Sequence, residues 1–318
     1  MLILHIGRHK TGTSSIQHFL HHNREELKRH GVSYPEPFDA VAAHHGLALA
    51  LSEGRDIEPY LGILRSLQPR DHTVLLSSEG FQRLSPAEAN RLTAAFPTTA
   101  VVYLREQFSY AWSAYVQRVF GGTESRLFTD SIKSAKYYKF LSGWSEACGG
   151  NLSVRVYDRK KLVEGDVVAD FCQHALGLDK NLFCPVQTVN ESLGWRAVNF
   201  VRRLNEITAQ ESGIPKLKRQ TTRALREVTD KFPALMERPI FDAAFREQFQ
   251  SRFMRNNQRV AAQFFHSDQP LFDLSWRGDS EWNPREGLTL DHLDALYQAR
   301  APLKQHHVAL AACVQPEP

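Results

Sequence analysis

Long apolar runs are missing from this sequence. No stretch approaches the roughly 18 consecutive apolar residues that a bilayer-spanning helix requires, so no transmembrane segment is expected. The opening residues "MLILHIGRHK" lack the charged-then-apolar plan of a secretory signal, and the expected setting is the cytoplasm. Cysteine is scarce as well. Cys148, Cys172, Cys184 and Cys313 stand far apart with no C-x-x-C pair, which argues against a zinc site and against a disulfide framework and fits a reducing compartment. Charge of one sign is not in large excess. The 39 Lys and Arg against 35 Asp and Glu leave a net +4, too little for a nucleic-acid footprint but suited to an anionic ligand. No repeat, low-complexity tract or evident linker breaks the chain. What remains is ordinary globular composition, 42% hydrophobic and 23% charged over 318 residues, which can bury a large core.

Within that composition, short β-rich runs alternate with helical patterns. The runs are "LILHI" at 2–6, "TVLLSS" at 73–78, "AVVYL" at 100–104 and "LSVRVY" at 152–157. This alternation predicts an α/β fold, a parallel sheet with helices on both faces, and it puts ligands at the carboxyl ends of the strands. Between the first two runs a helix is expected from about 13 to 30, with further helical stretches near 41–52 and 57–68. From Trp195 onward the pattern turns helical, so the expectation is a single domain over 1–318, with a core of about 1–190 and a helical C-terminal elaboration of about 191–318. Basic stretches there, "RR" at 202–203 and "PKLKR" at 215–219, could attract an anionic acceptor but read first as a solvated helical face.

The first strand runs straight into "GRHKTGTSS". Gly7 and Gly12 have the G-x-x-x-x-G spacing of a phosphate loop, in which successive backbone N–H groups and a helix N-terminus wrap an anion. A nucleotide-triphosphate loop needs Lys-Ser/Thr directly after the second glycine. Here Thr13 and Ser14 follow, and the lysine is Lys10.

This K-x-G-T-[TS] arrangement, Lys10-Thr11-Gly12-Thr13-Ser14, resembles the 5′-phosphosulfate loop of sulfotransferases that use 3′-phosphoadenosine-5′-phosphosulfate (PAPS). A second block is similar to that family's 3′-phosphate site: Arg105 ends a strand and Ser113 lies two turns into the next helix, in "REQFSYAWSAY". Looser likeness to bacterial sulfotransferase-like proteins extends over 137–178, "VNESL" at 189–193 and 255–273, whereas 274–318 matches nothing. The resemblance implies a P-loop NTPase-like sheet and transfer of a sulfonate to a hydroxyl or amine, a carbohydrate being the expected acceptor, with adenosine 3′,5′-bisphosphate as product and no metal required. It implies nucleotide contacts from Arg8, His9, Lys10, Thr11, Gly12, Thr13, Ser14, Arg105 and Ser113. A sulfonate carries less charge than a terminal phosphate, so one cation at the bridging oxygen, Lys10, can replace a metal.

The transfer also needs a base. Glu79, at the carboxyl end of the second long strand, is the leading candidate, with His44 and His45 as alternatives; an ion pair of Glu79 with Arg8 or Lys10 is the structural reading. His18 and His22 have metal-pair spacing, but Ile16, Phe19, Leu20 and Leu27 define the apolar face of their helix and turn both histidines to solvent. Two other functions remain open: a small-molecule kinase using ATP and Mg²⁺, and a nucleotide-binding protein that has lost its base. The expected partner is a small-molecule or glycan acceptor, not a nucleic acid.

Overall fold

A computed structural model describes residues 1–36, 42–67, 73–132, 136–186, 192–209 and 214–314. Asn190 of the "VNESL" block lies outside them. The chain divides into two compact units, one made of Met1–Glu106, Ala135–Thr188 and Phe253–Asp273, the other of Gln107–Ser134, Val189–Arg252 and Leu274–Pro318.

The first unit is built on five parallel strands, β1 (Leu2–Ile6), β2 (Val32–Ser33), β3 (Thr73–Ser78), β4 (Thr98–Leu104) and β5 (Leu152–Val156), in the order β2-β3-β1-β4-β5. The register sets Ile6 beside Ser78 on one side and Val102 on the other. Because parallel strands are covered on both faces, their sequences are almost continuously apolar, and alternate residues feed two separate cores. Leu2, Leu4 and Ile6, with Val74, Leu76, Ala100 and Val102, face a layer containing Leu47, Leu61, Leu92, Leu141 and Trp144. These come from α3 (His45–Ser52), α4 (Glu58–Leu67), α5 (Pro86–Thr93) and α7 (Tyr138–Ala147), to which α12 (Met254–Phe265) adds Val260. Ile3, Leu75, Val101 and Tyr103 face the opposite layer of Ile16, Phe19, Leu20, Val168 and Phe171. That layer comes from α1 (Thr13–His22) and α8 (Val167–Phe171).

The α/β class with a P-loop-like parallel sheet is therefore present, and the four apolar runs are the four long strands. The helix expected from 13 to 30 is broken at Asn23 into α1 and α2 (Arg24–Arg29). The buried Asn23 amide donates to the Phe19 and Cys184 carbonyls while its oxygen accepts from the Cys184 N–H, so a tertiary contact ends the first helix. His18 and His22 are exposed, as their spacing on α1 predicts. No helix among the described residues is long and apolar enough to cross a membrane.

The second unit contains α6 (Gln107–Phe120), α9 (Trp195–Ile207), α10 (Ile214–Glu227), α11 (Ala243–Ser251), α13 (Leu290–Ala299) and α14 (His307–Ala312). Its centre is aromatic: Phe108 sits edge-on to Phe128, Phe241, Phe249 and Trp276, at 5.1–5.7 Å between ring centroids. The expectation of a solvated "RR" is overturned here. Arg202 and Arg203 are 3% and 9% exposed, because α9 is buried nearly all round its circumference. The Arg202 guanidinium donates to the Ser125 carbonyl and to Glu206.

Candidate active site

The site is assembled at the carboxyl end of the sheet, where the central strand β1 delivers its loop between the ends of β3 and β4. Gly7 still belongs to the sheet, its N–H donating to the Ser78 carbonyl. Beyond it the chain folds back on Arg8, whose carbonyl accepts from the hydroxyls of both Thr11 (2.7 Å) and Thr13 (2.9 Å). That turn requires two left-handed residues, Lys10 (φ 65°) and Gly12 (φ 76°). The second must be glycine, since a Cβ there would stand 2.7 Å from Val167 Cγ1 and 3.0 Å from Tyr157 Cε2. Lysine has no such exemption. Holding Lys10 in the left-handed region costs about 1–2 kcal/mol, and its carbonyl is pinned by a 2.9 Å bond from the Arg105 guanidinium. Gly12 then forms the N-cap of α1 with no side-chain cap, so the first helical N–H groups, including that of the exposed Ser14, are available to an anion.

Three cations gather around this loop. Arg8 is buried, with its guanidinium 4.9 Å from the Tyr137 ring centroid and 4.8 Å from that of Phe140. Arg105 lies over Tyr157 at 5.6 Å, and Tyr137 donates its hydroxyl to the Arg105 carbonyl. Among the described residues no carboxylate lies within ion-pairing distance of Arg8, Lys10 or Arg105. Burial lowers the Lys10 pKa, the neighbouring Arg105 charge lowers it further, and Glu79 opposes both. Partly buried cations lacking carboxylate partners are costly, and an anionic ligand relieves that cost.

Glu79 follows β3 and is bonded to His9, with Nδ1 to Oε2 at 2.7 Å, rather than to Arg8 or Lys10 as its structural reading had it. Burial works against the charged carboxylate, but the hydrogen bond from His9 and the charges of His9, His45 and Lys10 outweigh it and hold the Glu79 pKa below its usual value. His45 begins α3 and pairs through Nδ1 with the Ser78 hydroxyl at 2.8 Å. Its neighbour is different. His44 is fully buried, its Nδ1 accepting from the Ser77 N–H and its Nε2 donating to the Pro35 carbonyl, and its ring stands edge-on to Tyr34. Both ring nitrogens are thus engaged with backbone, so His44 has none to offer a substrate.

The structure brings together Arg8, His9, Lys10, Thr11, Gly12, Thr13, Ser14, Glu79, His45 and Arg105. Ser113 belongs to α6 of the second unit and is half-buried there. Tyr137, Phe140 and Tyr157 were not anticipated as site residues. Tyr157 had a readable signal, since it closes the fourth apolar run at the end where ligands are expected. The cavity of about 290 Å³ lined by Val163, Ala169, Gln173 and Lys180, among others, includes none of the candidate residues.

Sheet order and loop together define an α/β protein with a P-loop-like parallel sheet, and three cations gather at the loop that follows β1. No family model matches the chain. An uncharacterised protein of Archaeoglobus fulgidus is 28% identical over 197 residues, covering 60% of this chain and 54% of the relative, so the match spans about half the relative's length. A crystal structure of a sulfotransferase from Alicyclobacillus acidocaldarius is similar at 16% identity and a TM-score of 0.49, with 83% of this chain and 95% of that chain covered.

Proposed function

We propose that this protein is a sulfotransferase that takes its sulfonate from PAPS and gives it to a hydroxyl or amine acceptor. The observation that carries the reading is the junction of Lys10 and Arg105, two cations that follow neighbouring strands and have no ion-paired carboxylate among the described residues, the second fastened to the backbone of the first. In this reading the uncapped start of α1 and Lys10 hold the 5′-phosphosulfate, while Arg105 holds the 3′-phosphate. The nucleotide supplies a sulfonate already attached to a phosphate leaving group. Lys10 holds the bridging oxygen, where negative charge grows, and the backbone donors of residues 10–14 fix its line of departure. The carboxylate–imidazole pair beside Lys10 is where a proton can be received.

A kinase reading is weakened by one side chain. The position directly after Gly12, where a triphosphate loop carries its lysine, is Thr13, which is buried and spends its hydroxyl on the Arg8 carbonyl. Calorimetry separates the two. Adenosine 3′,5′-bisphosphate should bind with the same affinity with and without Mg²⁺, and ATP should bind far more weakly. Mg²⁺-dependent ATP binding, or indifference to the 3′-phosphate, would refute the proposal.

A further inference from the structure

Resting on the sulfotransferase reading, we infer that the proton acceptor is His9, a residue of the phosphate loop itself, and that Glu79 is its positioning partner rather than the base. The Glu79 carboxylate can only accept from an imidazole nitrogen, so in the neutral form of His9 the 2.7 Å contact places the proton on Nδ1 and leaves the lone pair on Nε2. Among the described residues Nε2 has no partner, and the His9 side chain is 33% exposed, open to an incoming hydroxyl. Lys10, the next residue, is the cation assigned to the leaving oxygen, so base and leaving-group stabiliser are adjacent on one turn.

Glu79 is the poorer base of the two. Its carboxylate is occupied by His9, and the charges of His45 and Lys10 also favour its ionised form. His45 is the rival imidazole, yet its Nδ1 is bonded to the Ser78 hydroxyl and it meets the Glu79 carboxylate only through space, whereas His9 meets that carboxylate in a 2.7 Å contact. The charged and titratable groups facing the pair are Lys10 of the loop, His45 of α3 and His5 of β1, with Arg105 beyond Lys10.

In the reaction the acceptor O–H bond breaks and its proton passes to His9 Nε2. The acceptor oxygen bonds to sulfur as the bond from sulfur to the 5′-phosphate oxygen breaks, that electron pair leaving with the phosphate. Glu79 stabilises the imidazolium until the proton is released to solvent, which restores the starting state.

The test is imidazole ¹⁵N NMR of the full chain saturated with adenosine 3′,5′-bisphosphate. His9 should show the Nδ1–H tautomer, and Glu79→Gln, whose amide can donate as well as accept, should release that preference and let the Nε2–H tautomer appear. His9→Asn keeps a donor to Glu79 and deletes only Nε2. With PAPS as donor and water as acceptor, it should cut turnover about 100-fold, a larger loss than Glu79→Gln causes. A His9 protonated at Nε2, a tautomer unchanged by Glu79→Gln, or a larger loss from His45→Asn or Glu79→Gln than from His9→Asn overturns the inference while bisphosphate binding still supports the sulfotransferase reading. Failure to bind the bisphosphate removes both. The Glu79→Gln spectra decide the matter even if His9→Asn does not fold.

Discussion

Replacing Gly12 by alanine separates the conformational demand of the loop from the crowding around it. Two effects add at this position. A Cβ on a residue at φ +76° costs about 1–2 kcal/mol. The same Cβ meets Val167 Cγ1 at 2.7 Å and Tyr157 Cε2 at 3.0 Å, neither on a long flexible side chain, and overpacking of this kind costs about 1–3 kcal/mol. The sum is about 2–5 kcal/mol, or roughly 5–15 °C in thermal midpoint for a domain of this order of size. Gly54→Ala supplies the control, because Gly54 is also left-handed, at φ +68°, but a Cβ there meets nothing within 4 Å. It should lose only the conformational part, about 1–2 kcal/mol. Parallel thermal melts and bisphosphate titrations of the two variants make the assay, with nucleotide binding lost in Gly12→Ala alone. Equal midpoints for the two variants, or undiminished nucleotide binding by Gly12→Ala, would refute the close-packed loop on which the site depends.

Lys10→Met should weaken adenosine 3′,5′-bisphosphate binding by about 10- to 150-fold, the worth of one charge-assisted contact of about 1.5–3 kcal/mol, as read by calorimetry. Its thermal midpoint should not fall, because Lys10 is held charged against burial and against Arg105. His44→Ala should do the reverse: it strands the Ser77 N–H, costing about 1–3 kcal/mol in denaturant melts, and leaves nucleotide affinity unchanged. His5 is fully buried, and desolvation pushes its pKa down to about 3 against the opposing charge of Glu79. The unfolded chain therefore binds a proton that the folded chain refuses between pH 6.5 and about 3. Stability from this group is complete above pH 6.5 and is lost on acidification at up to about 1.4 kcal/mol per pH unit. His5→Asn should flatten that acid limb in melts between pH 4 and 6.5, and an unchanged slope would contradict the neutral, buried imidazole.

The sheet was legible because each long strand is an apolar run bounded by turn residues, and strands covered on both faces leave no other pattern. The two-residue β2 was not, being too short to carry a period. The break at Asn23 depends on Cys184, 161 residues away, and no local propensity encodes it. The loop was readable from its glycine spacing, and its two cations from the resemblance of their motifs to the sulfotransferase sites, because Lys10 and Arg105 each follow a strand whose direction is fixed. The partner of Glu79 was not. Arg8, His9 and Lys10 are neighbours in sequence, and only the turn forced by two left-handed residues decides which one reaches the carboxylate. His44 and His45 show the same limit, since adjacent positions at a helix start point one ring into the core and the other out, and the sequence "AAHHGL" does not say which.

The position of β1 has a consequence for biosynthesis. As the central strand it pairs through Leu2 with Val74 on one side and Thr98 on the other, so neither neighbour exists when it leaves the ribosome. A strand buried along its whole length must wait for about a hundred more residues before both its edges are covered. β1 is thus made ahead of both strands that protect it, and until they arrive it is a natural client for a chaperone.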